Sequence, residues 1–192
     1  LNRAPALEIF SPQADMSVDS GILLVSGKTE AGASVYLNNQ PVVADTDGNF
    51  REKLSLGPGT NQLVIKSVNK FGQKAIINRS VVFAQKEIAG TSTPLEVQSE
   101  NGSASAPDGL LLTGLTLEVI VGPGVAWVHI EADGIEQYAG TMLANARKTV
   151  TAQSRVIFTT SNAGSTRVTW NGKDLGRLGK EGEAIRNIEF GL

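Results

Sequence analysis

Apolar residues in this chain recur with period two or gather in short runs, and scarcely anywhere at the three-and-four spacing that lays a stripe along a helix. Strands are therefore predicted over 21–27 (GILLVSG), 33–37, 50–56, 61–68 and 74–83 in the first half. Ala31-Gly32, Asn38-Asn39, Asp47-Gly48, Gly57-Pro58-Gly59 and Phe71-Gly72 separate them; such residues bend backbone because Gly and Asn accept positive φ and Pro fixes it. Further strands are predicted over 115–121, 126–132, 135–139, 148–152, 155–160, 166–170 and 184–190. Asp133-Gly134 and Asn171-Gly172 are expected to make two-residue hairpin turns with positive φ at both central positions. The helix-like piece at 142–146 is too short to stand alone.

Alternation also assigns faces. Along 167–171, Val168 and Trp170 share one side and Arg167 and Thr169 the other, so Trp170 is expected in the core. Around Trp127 the reverse holds: Val128 and Ile130 share a face, which leaves Trp127 and His129 opposite.

Short strands with turn signals about every ten residues point to an all-β chain of antiparallel sandwiches. Two domains are expected, at 1–86 and 114–192, joined by a linker over 87–113. Its centre, Thr91 to Gly109, reads TSTPLEVQSENGSASAPDG and lacks aromatic residues. As a flexible chain that stretch would span roughly 25 Å. Leu95 and Val97 leave open a short docked edge strand.

With 192 residues, 41% of them hydrophobic and 19% charged, the chain can fill two small cores. Residues 1–86 carry 9 Lys and Arg against 7 Asp and Glu, and residues 87–192 carry 8 against 12. A pI near 5.5 and no dense Lys/Arg run argue against a nucleic-acid partner. The lack of cysteine excludes disulfides, thiolate zinc sites and cysteine nucleophiles. No apolar run approaches the ~20 residues that span a bilayer. Because the chain starts at Leu1 and not Met, a missing leader or anchor says nothing about the native protein.

Several stretches invite a reactive reading. RVTWNGKDLGRLGKEGE (Arg167 to Glu183) has two Gly-Lys pairs, but Arg167 and Asp174 stand where a phosphate loop needs its first Gly, and Asp174 and Glu181 where it needs Ser or Thr. A strand follows, so no helix N-terminus is expected to meet an anion. Asp45 to Asn49 alternates oxygen ligands like a calcium loop, yet Phe50 and Leu56 occupy the places of its Gly and Glu. His129 is the single histidine and has no cysteine or second histidine to share a metal. Glu131, Asp133 and Glu136 could supply the two carboxylates of a glycosidase, but they flank a hairpin turn. Hence no catalytic residue, metal or cofactor is expected.

Two resemblances sharpen the expectation. SGKTEAGASVYLNN (Ser26 to Asn39), DTDGNF (Asp45 to Phe50) and LGPGTNQLVIKSVNKFG (Leu56 to Gly72) resemble bacterial immunoglobulin-like repeats of the glucodextranase domain B kind, which implies a spacing or presenting module. WVHIEADG (Trp127 to Gly134), YAGTML (Tyr138 to Leu143), SNAGSTRVTWNGKDLGRLGKEGE (Ser161 to Glu183) and IRNIEF (Ile185 to Phe190) are similar to the C-terminal exterior domain of RodZ-type bacterial cell-shape proteins. Ser161 stands where that family usually has Gly, and Asn145 where a Gly often follows the Leu.

The second resemblance implies a membrane-anchored protein with a cytoplasmic helix-turn-helix domain. Its exterior segment would sit at the cell surface or in the periplasm and meet cell-envelope or wall-synthesis proteins. An alternative is peptidoglycan or another glycan as partner, with exposed aromatics stacking on sugar: Trp127 and Tyr138 are candidates, and Trp170 a weaker one because alternation places it inside. The surface residues singled out are Trp127, His129, Tyr138, Lys173, Arg177 and Lys180.

Overall fold

The structure, a computed structural model, describes residues 3–84 and 114–191. The first half contains β1 (Leu7–Ser11), β2 (Met16–Val18), β3 (Ile22–Thr29), β4 (Ser34–Leu37), β5 (Gln40–Val42), β6 (Asn49–Ser55), β7 (Gly59–Val68) and β8 (Lys74–Phe83). The second contains β9 (Leu115–Val121), β10 (Ala126–Ala132), β11 (Ile135–Met142), β12 (Arg147–Ala152), β13 (Arg155–Thr160), a 3₁₀ turn (Ala163–Ser165), β14 (Thr166–Trp170), β15 (Lys173–Arg177) and β16 (Ile185–Gly191).

These strands make three sheets: β1-β3-β6-β11-β10-β13-β16, β12-β9-β14-β15 and β2-β8-β7-β4-β5. Pairing is antiparallel except where β2 meets β8 and β6 meets β11. The chain is all-β, as its periodicity requires. In β10 the alternation is strict, with Ala126, Val128, Ile130 and Ala132 buried and Trp127, His129 and Glu131 between them half-buried.

Each half has its own core. Val25, Val35, Leu37, Leu54, Leu63 and Ile65 belong to the first; Leu117, Val119, Val128, Ile130, Met142 and Phe158 belong to the second. The halves nevertheless share the seven-stranded sheet, because β6 and β11 pair through Leu54 with Thr141 and Ser55 with Met142. Thr141 stands beside Leu54 of the first core, whereas the next residue, Met142, lies in the second. Successive residues of a strand point to opposite faces, so the shared sheet turns one face to the first core and the other face to the second.

The junction is tightly built. Leu143, just past β11, is buried in the first core, and its amide donates to the Ser55 carbonyl at 2.9 Å. Gly140 approaches β6 so closely that a Cβ there would stand 2.6 Å from the Lys53 carbonyl oxygen; only glycine lets the two backbones meet.

Some elements differ from the pattern-based expectation. β1, β2, β5 and β15 are additional strands; each is three to five residues long, too short for a period to declare itself. β11 runs on to Met142, past the expected end at Ala139, because β10 pairs with it to that point and β6 pairs with its last two residues on the other side. The helix-like piece at 142–146 is a strand end and a tight turn with Asn145 at φ 66°. Both hairpin dipeptides have the expected positive φ: 51° and 82° at Asp133-Gly134, 49° and 79° at Asn171-Gly172. The linker at 87–113, with Leu95 and Val97, lies outside the described residues.

Candidate functional site

The stretch from Arg167 to Glu183 folds as the β14–β15 hairpin and the loop that follows it. Arg167 grips Asp174 through two nitrogens, Nη2 at 2.6 Å and Nε at 3.1 Å from Oδ2, and Asp174 Oδ1 accepts from the Gly176 amide at 2.8 Å. These bonds and the Arg167 charge hold the Asp174 carboxyl below its ordinary value. Lys173 and Arg177 are exposed on β15. The Lys180 amide donates to Glu183 Oε2 at 2.8 Å, and its carbonyl accepts from the Gly164 amide. The backbone passes so near Gly164 that a Cβ there would strike Glu181.

Asn162 fastens this loop. Its Nδ2 donates to the Val125 carbonyl at 3.2 Å and to Glu181 Oε1 at 3.3 Å, and its Oδ1 accepts from the amides of Ser165 and Gly182. The amide thus spends donor and acceptor alike on backbone geometry.

The acidic candidates are likewise committed. Asp45 Oδ1 accepts from the amides of Asp47 and Asn49 at 2.9 and 2.8 Å, closing the turn that resembled a calcium loop. Asp133 accepts from the amides of Gln153, Ser154 and Arg155 and from the Ser154 hydroxyl. These donors hold its carboxyl far below the usual carboxylate range and tie the β10–β11 turn to the β12–β13 turn. Glu136 stands 3.4 Å from His129 Nε2. No group of three or more His, Cys, Asp or Glu suited to a metal occurs among the described residues.

Of the six surface candidates, Trp127 and His129 lie together on β10, their rings parallel within 6° and their centroids 6.2 Å apart. Lys173 and Arg177 lie on the other sheet of the second sandwich, so the structure does not gather the six into one site. Trp170 is half-buried and packs at the rim of the second core against Phe190, with centroids 5.3 Å apart, so part of its ring is covered.

Tyr138 requires a correction, since it is 2% exposed and belongs to the second core. The Ser55 hydroxyl donates to its oxygen at 2.9 Å, and the phenol donates to the Thr141 carbonyl at 3.2 Å. Burial first, and the nearby Glu52 charge, push the phenol up to about 12. The reason is the irregularity between Ile130 and Glu131, which shifts the β10–β11 register so that Tyr138 stands opposite the core residue Ile130, while the β6–β11 pairing supplies Ser55 to its hydroxyl. Thr141 Oγ1 in turn donates to Glu52 Oε1 at 2.9 Å, and burial raises the Glu52 carboxyl against the lowering effect of that bond. Sequence reasoning missed Glu52, Ser55 and Thr141; no local signal marks them, because their partners lie more than 80 residues away. Leu143 carried a signal as the closing residue of YAGTML in the second resemblance, though not the knowledge of which core it enters.

Comparison with known proteins gives partial likenesses. The amylopullulanase of Thermoanaerobacterium thermosulfurigenes is 41% identical over 59 residues, which is 30% of this chain and 3% of that protein. The chain thus spans a small fraction of the length of this curated relative. The fibronectin(III)-like modules of Clostridium thermocellum CbhA share 8% identity at a TM-score of 0.34, covering 42% of this chain and 98% of that one. Bacteroides ovatus SGBP-B, solved with a mixed-linkage heptasaccharide, shares 14% identity at a TM-score of 0.31, covering 92% and 47%. Residues 119–189, from β9 into β16, match the family model of the RodZ C-terminal domain.

Proposed function

We propose that this chain is an exterior, non-enzymatic segment of a RodZ-like membrane-anchored protein, acting in cell shape or envelope organisation by docking partner proteins. The observation that carries the reading is the family match over residues 119–189. Supporting it, Asp45, Asp133 and Asp174 spend their carboxylates on turns and a strand pair, which suits a scaffold that displays surfaces. Wall-synthesis or other envelope proteins are the partners of this reading, met outside the cytoplasmic membrane.

The test uses the full-length protein in its native cells. A photo-crosslinking residue replacing exposed Lys173 or Arg177, combined with protease accessibility in cells with and without an intact membrane, is expected to give adducts with envelope proteins and exterior cleavage. Cleavage confined to lysed cells, or adducts with cytoplasmic proteins only, refutes it.

A second reading is glycan binding, favoured by the half-exposed Trp127 beside His129. Pull-down on peptidoglycan with wild type and Trp127→Ala separates the two: retention that the substitution abolishes favours the glycan, and no retention removes it.

A further inference from the structure

Sheet edges offer unpaired backbone groups, and proteins usually blunt them with bulges, prolines or short length. Five of the six described edges here are blunted. β1 shifts register between Ile9 and Ser11. β16 is irregular where it faces β13, with Asn187 at φ 54°. β15 shifts opposite Val168 and Thr169. β2 and β5 are three residues each, and β5 holds Pro41.

β12 is different. It keeps six consecutive partners on β9, from Arg147 with Ile120 to Ala152 with Leu115, without a shift. It is an end strand of its sheet, and no described strand pairs on its other side.

The orientation of its free groups follows from β9. Val121 exchanges backbone bonds with Asn145 and Ala146, while Thr116 accepts from the Asn171 amide on the opposite side. Odd residues of β9 therefore bond toward β12 and even ones toward β14. By register, Lys148 and Val150 bond to β9, and Arg147, Thr149 and Thr151 turn their N–H and C=O groups to the open edge.

That edge borders a groove of about 870 Å³ between the halves, lined by Ile22, Leu56 and Phe83 from the first and by Arg147, Lys148 and Thr149 from the second. Of its two cations, Arg147 is paired with the Glu118 carboxylate of β9, and Lys148, with its Nζ 5.5 Å above the Tyr138 ring, has no carboxylate partner among the described ion pairs. Ile22 is 47% exposed, and Leu24 on the same face of β3 is 44% exposed. An open ladder, an apolar floor and the Lys148 charge together suit one kind of ligand: an extended peptide in which apolar residues alternate with acidic ones.

We infer that the β12 edge and the groove beside it bind such a peptide from a partner protein, which adds as a fifth strand to the four-stranded sheet. Main-chain bonds to Arg147, Thr149 and Thr151 supply affinity. Lys148 and the apolar floor select for acidic and apolar side chains on alternate positions. This surface lies apart from Trp127 and goes beyond the function proposed above. Its test uses no envelope component, so failure here leaves the reading of residues 119–189 where it stands.

The probe is a display library of random twelve-residue peptides selected against the intact chain, with the enriched peptides then measured by fluorescence polarisation. Enrichment of acidic-apolar alternating sequences is expected, with Kd below about 100 µM, in the weak range of small interfaces. Thr149→Pro, which deletes one open-edge N–H and spares the bonds to β9, is expected to weaken them at least about tenfold. Thr149→Ala keeps the N–H and should bind like wild type, and Lys148→Glu should weaken acidic peptides specifically. Thermal melts establish that each variant folds; should Thr149→Pro not fold, Lys148→Glu carries the decision. Peptides that bind Thr149→Pro as well as wild type, peptides indifferent to Lys148→Glu, or no enrichment at all overturn the inference. So does sedimentation showing a dimer that Thr149→Pro dissolves, since the occupant is then a second copy of this chain.

Discussion

Replacing Leu143 with alanine removes a side chain that the second half of the chain inserts into the core of the first. Leu143 is 3% exposed and packs in the cluster of Val25, Leu37, Leu54 and Leu63. Truncating a buried leucine costs ~2–5 kcal/mol, depending on how far the walls relax. Leu143 also borders an open groove with Asn38, Pro58, Asn61 and Val125, so its surroundings can relax and the cost falls at the low end, ~2–3 kcal/mol. That corresponds to a drop in Tm of about 4–12 °C for a chain of this size. Amide hydrogen exchange is the informative assay. If the shared sheet makes the halves open together, protection falls by about 30- to 150-fold both in β7, at Leu63 and Ile65, and in β13, at Val156 and Phe158. Loss in β7 with β13 unchanged would refute the reasoning, because the substituted residue would then stabilise its host core alone.

Other substitutions probe the same network. Tyr138→Phe leaves the Ser55 hydroxyl and the Thr141 carbonyl without their partner and should cost ~1–3 kcal/mol by urea denaturation; an unchanged midpoint contradicts the junction described. Glu52→Gln should raise Tm at neutral pH. The Glu52 carboxyl is raised in the folded state, so folding is favoured below its ordinary range and loses stability as pH climbs through the folded value; a wild-type advantage at pH 7 would argue against that. Asp133→Asn should lower Tm at pH 7 and converge with wild type in acid. The depressed folded value of Asp133 gives stability that is present above its ordinary pKa of 3.8 and lost as pH falls below it; a gap that persists unchanged in strong acid would contradict it.

The period-two pattern was enough to place β7, β10, β13 and β14, because each buries one face within a single sandwich and the alternation reports burial directly. Turn chemistry was equally local: Asp133-Gly134 and Asn171-Gly172 bend as their side chains and φ preferences require. Tyr138 shows where local reading stops. Nothing near it in sequence says that Ser55, 83 positions earlier, covers it. The same holds for the end of β11 and the residue after it, which serve two different cores, so that Thr141, Met142 and Leu143 are all buried. A period-two rule presumes one buried face and cannot anticipate a strand that serves both. The groove beside β12 was invisible for the same reason, since Ile22 and Lys148 line it from different halves of the chain.

Residual dipolar couplings of backbone amides, measured on the intact chain in one weakly aligning medium, address the shared sheet most directly. The account predicts that a single alignment tensor fits β3, β6 and β7 together with β10, β13 and β14. Two tensors of different magnitude or orientation, one for each half, would contradict it.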